Sequence, residues 1–108
     1  MSRKEPILEV YQSGVLTVVG FGGRVLLDQV DLTGCREEIM NLIKQHGCQT
    51  LAFDVTGVKL IPSGLLGLLD SIREQGVEVH IYNPSDDTRE VLKVTKLDKI
   101  MPIHNMEL

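Results

Sequence analysis

Thr50-Leu-Ala-Phe-Asp-Val-Thr-Gly-Val-Lys-Leu-Ile-Pro-Ser-Gly-Leu-Leu-Gly-Leu-Leu-Asp-Ser-Ile-Arg-Glu74 runs from an apolar strand through a short loop into an amphipathic helix. Leu51, Ala52, Phe53 and Val55 form the short apolar run expected of a strand covered on both faces, which implies helices above and below it. Asp54 lies near its end. Pro62 ahead of Ser63 and the apolar run from Leu65 mark a helix start, with the Ser63 hydroxyl expected as the N-cap that accepts a first-turn N–H. At about 100° per residue, Leu65, Leu68, Leu69 and Ile72 share the core face. Ser63, Gly67, Asp70 and Glu74 fall on the opposite face, with Leu66 expected half-exposed beside them. A glycine on an exposed helix face costs about 1 kcal/mol relative to alanine, so Gly67 reads as a place where another protein's backbone comes close.

Outward from this stretch, Asp31-Leu32-Thr33 offers caps for a helix reaching His46, with Cys35, Ile39, Leu42, Ile43 and His46 as its apolar stripe and Gly47 as its end. Residues 7–12 alternate apolar and polar, Ser13-Gly14 is a two-residue turn signal, and residues 15–19 are rich in β-branched side chains, together a hairpin. Gly20-Phe21-Gly22-Gly23-Arg24 lacks the spacing of a dinucleotide fingerprint and has no Gly-Lys-Ser/Thr, and Val25-Leu26-Leu27 does not open a helix. It reads as a flexible or bulged connection. Towards the C-terminus, residues 77–82 form a further strand, Ser85 caps a helix over residues 86–96 with Val91, Leu92 and Thr95 inward, and Ile100, Met101 and Ile103 around Pro102 suit a short edge strand or docked tail.

The order β-β-α-β-α-β-α predicts an α/β fold in one domain: a mixed sheet with an N-terminal antiparallel hairpin followed by α-β-α-β-α units, residues 1–5 being a flexible lead. In open sheets of this kind sites gather beyond the carboxyl ends of the strands. The loop over residues 56–62 and Ser63 lie there.

The 108 residues carry a net charge of −4, 15 acidic against 11 basic, with no basic cluster, which argues against nucleic acid. No segment has signal-peptide form or the roughly 20 apolar residues of a membrane span, so a cytoplasmic protein without a membrane partner is expected. Cys35 and Cys48, separated by a predicted helix and so about 20 Å apart, are expected as buried thiols rather than a disulfide. His46, His80 and His104 make no ligand pair at helical or hairpin spacing, and no metal or cofactor is expected. Enzyme chemistry finds no support either. Asp54 lacks the acidic pair that a Mg²⁺-dependent phosphoacceptor needs, and no Ser-His-Asp order or paired carboxylates appear. Its expected role, with Thr56, is to organise the loop by accepting the N–H groups of Thr56 to Val58.

Leu51-Ala-Phe-Asp54, the loop Val58-Lys-Leu-Ile, Ser63-Gly64-Leu65 opening a helix, Gly76-Val-Glu-Val, Asn83 and Leu92-x-x-x-x-Leu97 together resemble the STAS domain family, the anti-sigma-factor antagonists and their relatives. The resemblance covers nearly the whole chain. It implies a partner-switching module in bacterial transcription control: a Ser/Thr kinase that doubles as an anti-sigma factor phosphorylates the serine before the glycine, and a phosphatase restores it. Ser63 matches the phosphoacceptor, Gly64 and Leu65 the Gly-Leu after it, and Asp54 the strand aspartate. Pro62, Ser63, Gly64, Leu66, Gly67 and Asp70 become the expected partner-binding surface of a monomer or weak homodimer. Ile61-Pro62 stands where the family has Asp-Ser, and Gly67 falls one position later than the family's second helix glycine. These departures motivate an alternative, a non-phosphorylated scaffold or small-ligand-binding relative in which the glycines at 20–23 contact a ligand or neighbouring subunit.

Overall fold

Leu51, Phe53, Val79 and Ile81 face one way on two adjacent strands, and the register between them explains the architecture. The structure, a computed structural model, describes residues 7–23 and 31–105, so the expectations for residues 1–5 and 25–27 lie outside the described residues. Five strands, β1 (Glu9–Gln12), β2 (Leu16–Gly20), β3 (Thr50–Asp54), β4 (Glu78–Tyr82) and β5 (Ile103–His104), form one sheet in that spatial order. The first pair is antiparallel and the others are parallel. Helices α1 (Leu32–His46), α2 (Ser63–Glu74) and α3 (Asp86–Val94) join the parallel strands, and a 3-10 turn, Leu97–Lys99, precedes β5.

The expected helices on both faces of β3 are not found among the described residues. Apolar residues of all three helices gather in a single cluster with Val19, Leu51, Phe53, Val79 and Ile81, the residues of one sheet face. Val18 and Ala52 are buried yet lie outside that cluster, in a row with Gln12 and His80 on the other face. Ala52 reads as core in the sequence because it is apolar; it is buried, yet among the described residues it lies outside the cluster that the three helices share.

The ends of α1 follow from local chemistry. Asp31 accepts the Gly34 N–H at 3.0 Å as N-cap, and Gly47, at φ +61°, closes the helix in the left-handed conformation that suits glycine. His46 is exposed rather than part of the apolar stripe, being in the last turn where the helix leaves the sheet. The hairpin turn has three residues rather than two, and the register shifts between Val10 and Gln12, which marks a bulge at Tyr11. Helix α3 stops at Val94, earlier than expected, because Lys96 adopts φ +64° and breaks the helical path. Thr95 is therefore exposed, its hydroxyl donating to the Val91 carbonyl at 2.7 Å. Cys35 and Cys48 are both buried thiols rather than a disulfide, as expected.

Candidate functional site

Beyond the carboxyl ends of β3 and β4 a hydrogen-bonded knot holds the start of the loop that leads to Ser63. Asp54 Oδ1 accepts the Thr56 N–H at 3.1 Å and the Thr56 hydroxyl at 2.6 Å. Asn83, one residue past β4, donates from Nδ2 to Thr56 Oγ1 at 3.1 Å and to Asp54 Oδ1 at 3.4 Å. Of the loop N–H groups expected to donate to Asp54, that of Thr56 does so. Val58 differs: its N–H donates to the Val55 carbonyl at 3.0 Å, closing a turn around Gly57 at φ +84°.

The middle of the loop is anchored from two sides. Val58 and Ile61 are buried in the core cluster, while Leu60 between them is 50% exposed. The Ser85 hydroxyl donates to the Lys59 carbonyl, and the same oxygen accepts the Thr88 N–H at 3.1 Å as N-cap of α3. The α3 cap was legible in the sequence; its second bond, to a loop 26 residues earlier, was not.

Ser63 opens α2 but does not cap it, which corrects the expected N-cap. Pro62 holds that position at φ −60°, ψ 144°, no side chain makes a capping bond, and the Pro62 carbonyl accepts the N–H groups of Leu65 and Leu66 at 3.0 and 3.3 Å. Extended ψ at Pro62 places Ser63 inside the first turn, one residue too late for its hydroxyl to act as cap. That hydroxyl is at an exposed residue, on a helix start whose first amides no side chain covers.

Along the same face Gly67 is exposed, with no atom within 4 Å of where a Cβ would stand, and Glu74 is exposed. Asp70 is half-buried and pairs with Arg73 at 3.0 Å. Gly64, also exposed, meets Leu32 of α1 instead of open space: a Cβ there would lie 2.5 Å from Leu32 Cδ1. Leu66 requires a correction. Expected half-exposed, it is 4% exposed and belongs to the core cluster. Gly64 and Ser71, which accepts from Arg36 at 3.1 Å, face α1; Leu66 stands on the other flank, which the core also covers.

A sequence profile of the STAS domain matches residues 9–107. The chain belongs to the STAS domain family. Among curated proteins none matches the sequence. Solved structures share its fold. An anti-sigma-factor antagonist (STAS) domain protein from Planctomyces limnophilus superposes with a TM-score of 0.75 at 19% identity, covering 93% of this chain and 90% of its own. An anti-sigma factor antagonist from Mycobacterium paratuberculosis gives 0.71 at 21%, covering 90% and 83%. The anti-sigma factor antagonist SpoIIAA in its unphosphorylated form gives 0.69 at 22%, covering 89% and 84%.

Within this STAS domain, Ser63, Gly64 and Gly67 are all exposed. A groove of about 870 Å³ lies elsewhere, between residues 7–10 and α1, lined by Ile7, Leu8, Val10, Glu37 and Leu42 among others. The histidines dismissed as ligands do come together in part: His80 Nδ1 and His104 Nε2 are 2.8 Å apart across β4 and β5. Their 24-residue separation hides this from any spacing rule, since only the parallel register of β5 creates it. Among the described residues no group of three or more His, Cys, Asp or Glu side chains could hold a metal ion, and no helix is long and apolar enough to cross a membrane.

Proposed function

We propose that this STAS domain is an anti-sigma-factor-antagonist-like partner-switching module whose binding to a Ser/Thr kinase that acts as an anti-sigma factor is controlled by phosphorylation of Ser63. The observation that carries the reading is that Ser63 is an exposed residue in the first turn of a helix whose N-cap makes no side-chain capping bond. A phosphate there adds about −1.5 to −2 charge where the helix dipole and free N–H groups favour an anion, so the fold tolerates it. The complex does not. Pro62, Ser63, Gly64 and Gly67, with Asp70 at the margin, form the proposed contact surface, and the buried Leu66 is left out of it. Burying a dianion in that contact costs several kcal/mol, and each 1.4 kcal/mol weakens binding about tenfold. A phosphatase that removes the phosphate resets the switch. In this reading the chain is a substrate of enzymes and not itself one.

The experiment is affinity capture from the native cell with the unmodified protein and with Ser63→Ala and Ser63→Asp as baits. An ATP-binding partner retained by Ser63→Ala and lost by Ser63→Asp supports the switch; equal recovery with both overturns it. Ile61-Pro62, in place of the family's Asp-Ser, favours the second reading of a constitutive scaffold. Phosphate-affinity electrophoresis of the native protein decides between them, because a scaffold shows no retarded band that phosphatase removes.

A further inference from the structure

Asn83 and Ser85 come from one short turn between β4 and α3, and both reach across to the loop ahead of Ser63. We infer that this turn is a clamp and that Asn83 and Ser85 are positioning residues for Ser63, a role that rests on the partner-switch reading above. Asn83 grips the start of the loop. A carboxylate accepts but cannot donate, so the Asn83 amide must turn its nitrogen towards Asp54, and the Thr56 hydroxyl, which donates to Asp54, keeps a lone pair for the same nitrogen. The three groups form a closed set in which each bond orients the next. Ser85 grips the middle, its hydroxyl proton going to the Lys59 carbonyl.

The backbone at Asn83 shows why this residue type is used. Its φ is +60°, a region that asparagine tolerates better than most side chains, and its N–H donates to the His104 carbonyl at 2.7 Å. Glycine would fit that backbone and lose the amide. Asparagine alone among common choices supplies the left-handed turn and two donor hydrogens for the Asp54–Thr56 pair. Ser85 is likewise used twice, since an aspartate there would cap α3 equally well but could not donate to Lys59.

With its start and its middle fixed, the loop of residues 55–62 delivers Pro62 and Ser63 in a single arrangement, and a partner need not order the loop on binding. Disordered loops lose affinity to that ordering cost, and a clamp removes it.

Asn83→Gly and Ser85→Asp test this: the first keeps the left-handed backbone and removes the amide that grips Asp54 and Thr56, and the second keeps the α3 cap and removes the hydroxyl proton given to the Lys59 carbonyl. Amide hydrogen exchange of the full chain is followed by NMR at Thr56 and Val58, with Leu51 and Phe53 in β3 as reference. The expected result is about tenfold faster exchange at Thr56 in Asn83→Gly and at Val58 in Ser85→Asp, with the β3 amides unchanged. Unchanged loop exchange in both variants overturns the clamp, as does equal acceleration at Leu51 and Phe53, which reports global unfolding. Capture of the Ser63-dependent partner is then compared at equal protein concentration. Weaker capture by a variant with a loosened loop supports positioning, and undiminished capture overturns it. Should no partner depend on Ser63 at all, the switch fails while the exchange data still decide the clamp.

Discussion

Gly64 and Leu32 compete for one space: a Cβ on Gly64 would lie 2.5 Å from Leu32 Cδ1, so the start of α2 and the start of α1 touch through a missing side chain. The residue next to Ser63 is therefore a packing residue as well as a surface one. Gly64→Ala is expected to push Leu32 out of its half-buried place and to destabilise by about 1 kcal/mol, modest because the atom displaced is the tip of a flexible side chain. Gly67→Ala differs, since nothing lies within 4 Å of its Cβ position, and it is expected to stabilise by about 0.5–1 kcal/mol through helix propensity. Urea denaturation measures both. In a cycle with Leu32→Ala, the cost of Gly64→Ala should largely vanish, whereas the gain from Gly67→Ala should not change. Additivity of Gly64→Ala with Leu32→Ala would show the contact to be unimportant.

Ser63 separates the cap from the exposed first-turn position in a measurable way. A true N-cap serine loses about 0.5–2 kcal/mol on replacement by alanine. Because Pro62 occupies the cap, Ser63→Ala is expected to change stability by less than about 0.5 kcal/mol. Ser63→Asp places an anion in a first turn that has no acidic residue, and a gain of about 0.3–1 kcal/mol is expected, roughly 2–4 °C in Tm. Calorimetry on the two variants checks this; a loss above about 1 kcal/mol in Ser63→Ala would return the hydroxyl to a capping role.

The carboxylate of Glu38 performs a long-range task. Its two oxygens accept the backbone N–H groups of Ile7 and Leu8 at 2.8 and 2.9 Å, tying the lead into β1 to the middle of α1. Glu38→Ala leaves both amides without that acceptor, and a loss of about 1–2 kcal/mol is expected, reduced from the value for a buried pair because the site is only partly shielded. Glu38→Gln retains one accepting oxygen and should lose about half as much. Faster amide exchange at Ile7 and Leu8, with α1 intact by circular dichroism, is the accompanying signature; unchanged exchange would contradict it.

What the chain declares about itself is mostly periodic and local. Leu65, Leu68, Leu69 and Ile72 repeat with the helix, Asp31 and Gly47 bracket α1, and Ser85 announces α3, so elements and their order follow from the sequence. The positions of Ser63 and Asp54 at the ends of elements, on the side where such folds place their sites, were legible for the same reason, which made them candidates. Contacts made by tertiary arrangement were not legible. Whether helices cover the Ala52 side of the sheet depends on crossover geometry, and the burial of Leu66 depends on what stands at the flank of α2. The bond from Ser85 to Lys59 and the meeting of His80 with His104 join residues whose spacing carries no signal. The one-residue error at the α2 cap has a narrower cause: Pro62 can lead a helix from the first helical position or from the cap, and its ψ of 144° selects the second.

The histidine pair yields the most specific spectroscopic expectation. His80 Nδ1 and His104 Nε2 are 2.8 Å apart, with ring planes 16° apart and centroids separated by 5.0 Å. That separation is close to the nitrogen distance plus two ring radii, so the imidazoles meet end to end and share a hydrogen bond; it is Tyr82, at 4.5 Å from His104, that stacks face to face. Glu78 Oε1 lies 2.9 Å from His80 Nε2. An ionised carboxylate only accepts, so His80 carries its proton on Nε2, its Nδ1 accepts, and His104 must donate from Nε2. Both neutral rings are therefore expected as Nε2–H tautomers, which nitrogen chemical shifts at neutral pH read directly. Glu78 is 73% exposed, so its direct energetic effect is small and its effect on proton placement is the better test. In Glu78→Gln the side-chain amide can donate or accept, and His80 should become a mixture of tautomers. In His104→Ala the bond is gone, β5 is held more weakly, and the Asn83 amide, which donates to the backbone of residue 104, should exchange about fivefold faster. A His80 found with its proton on Nδ1 in the unmodified protein would reverse the direction of the chain and refute the assignment.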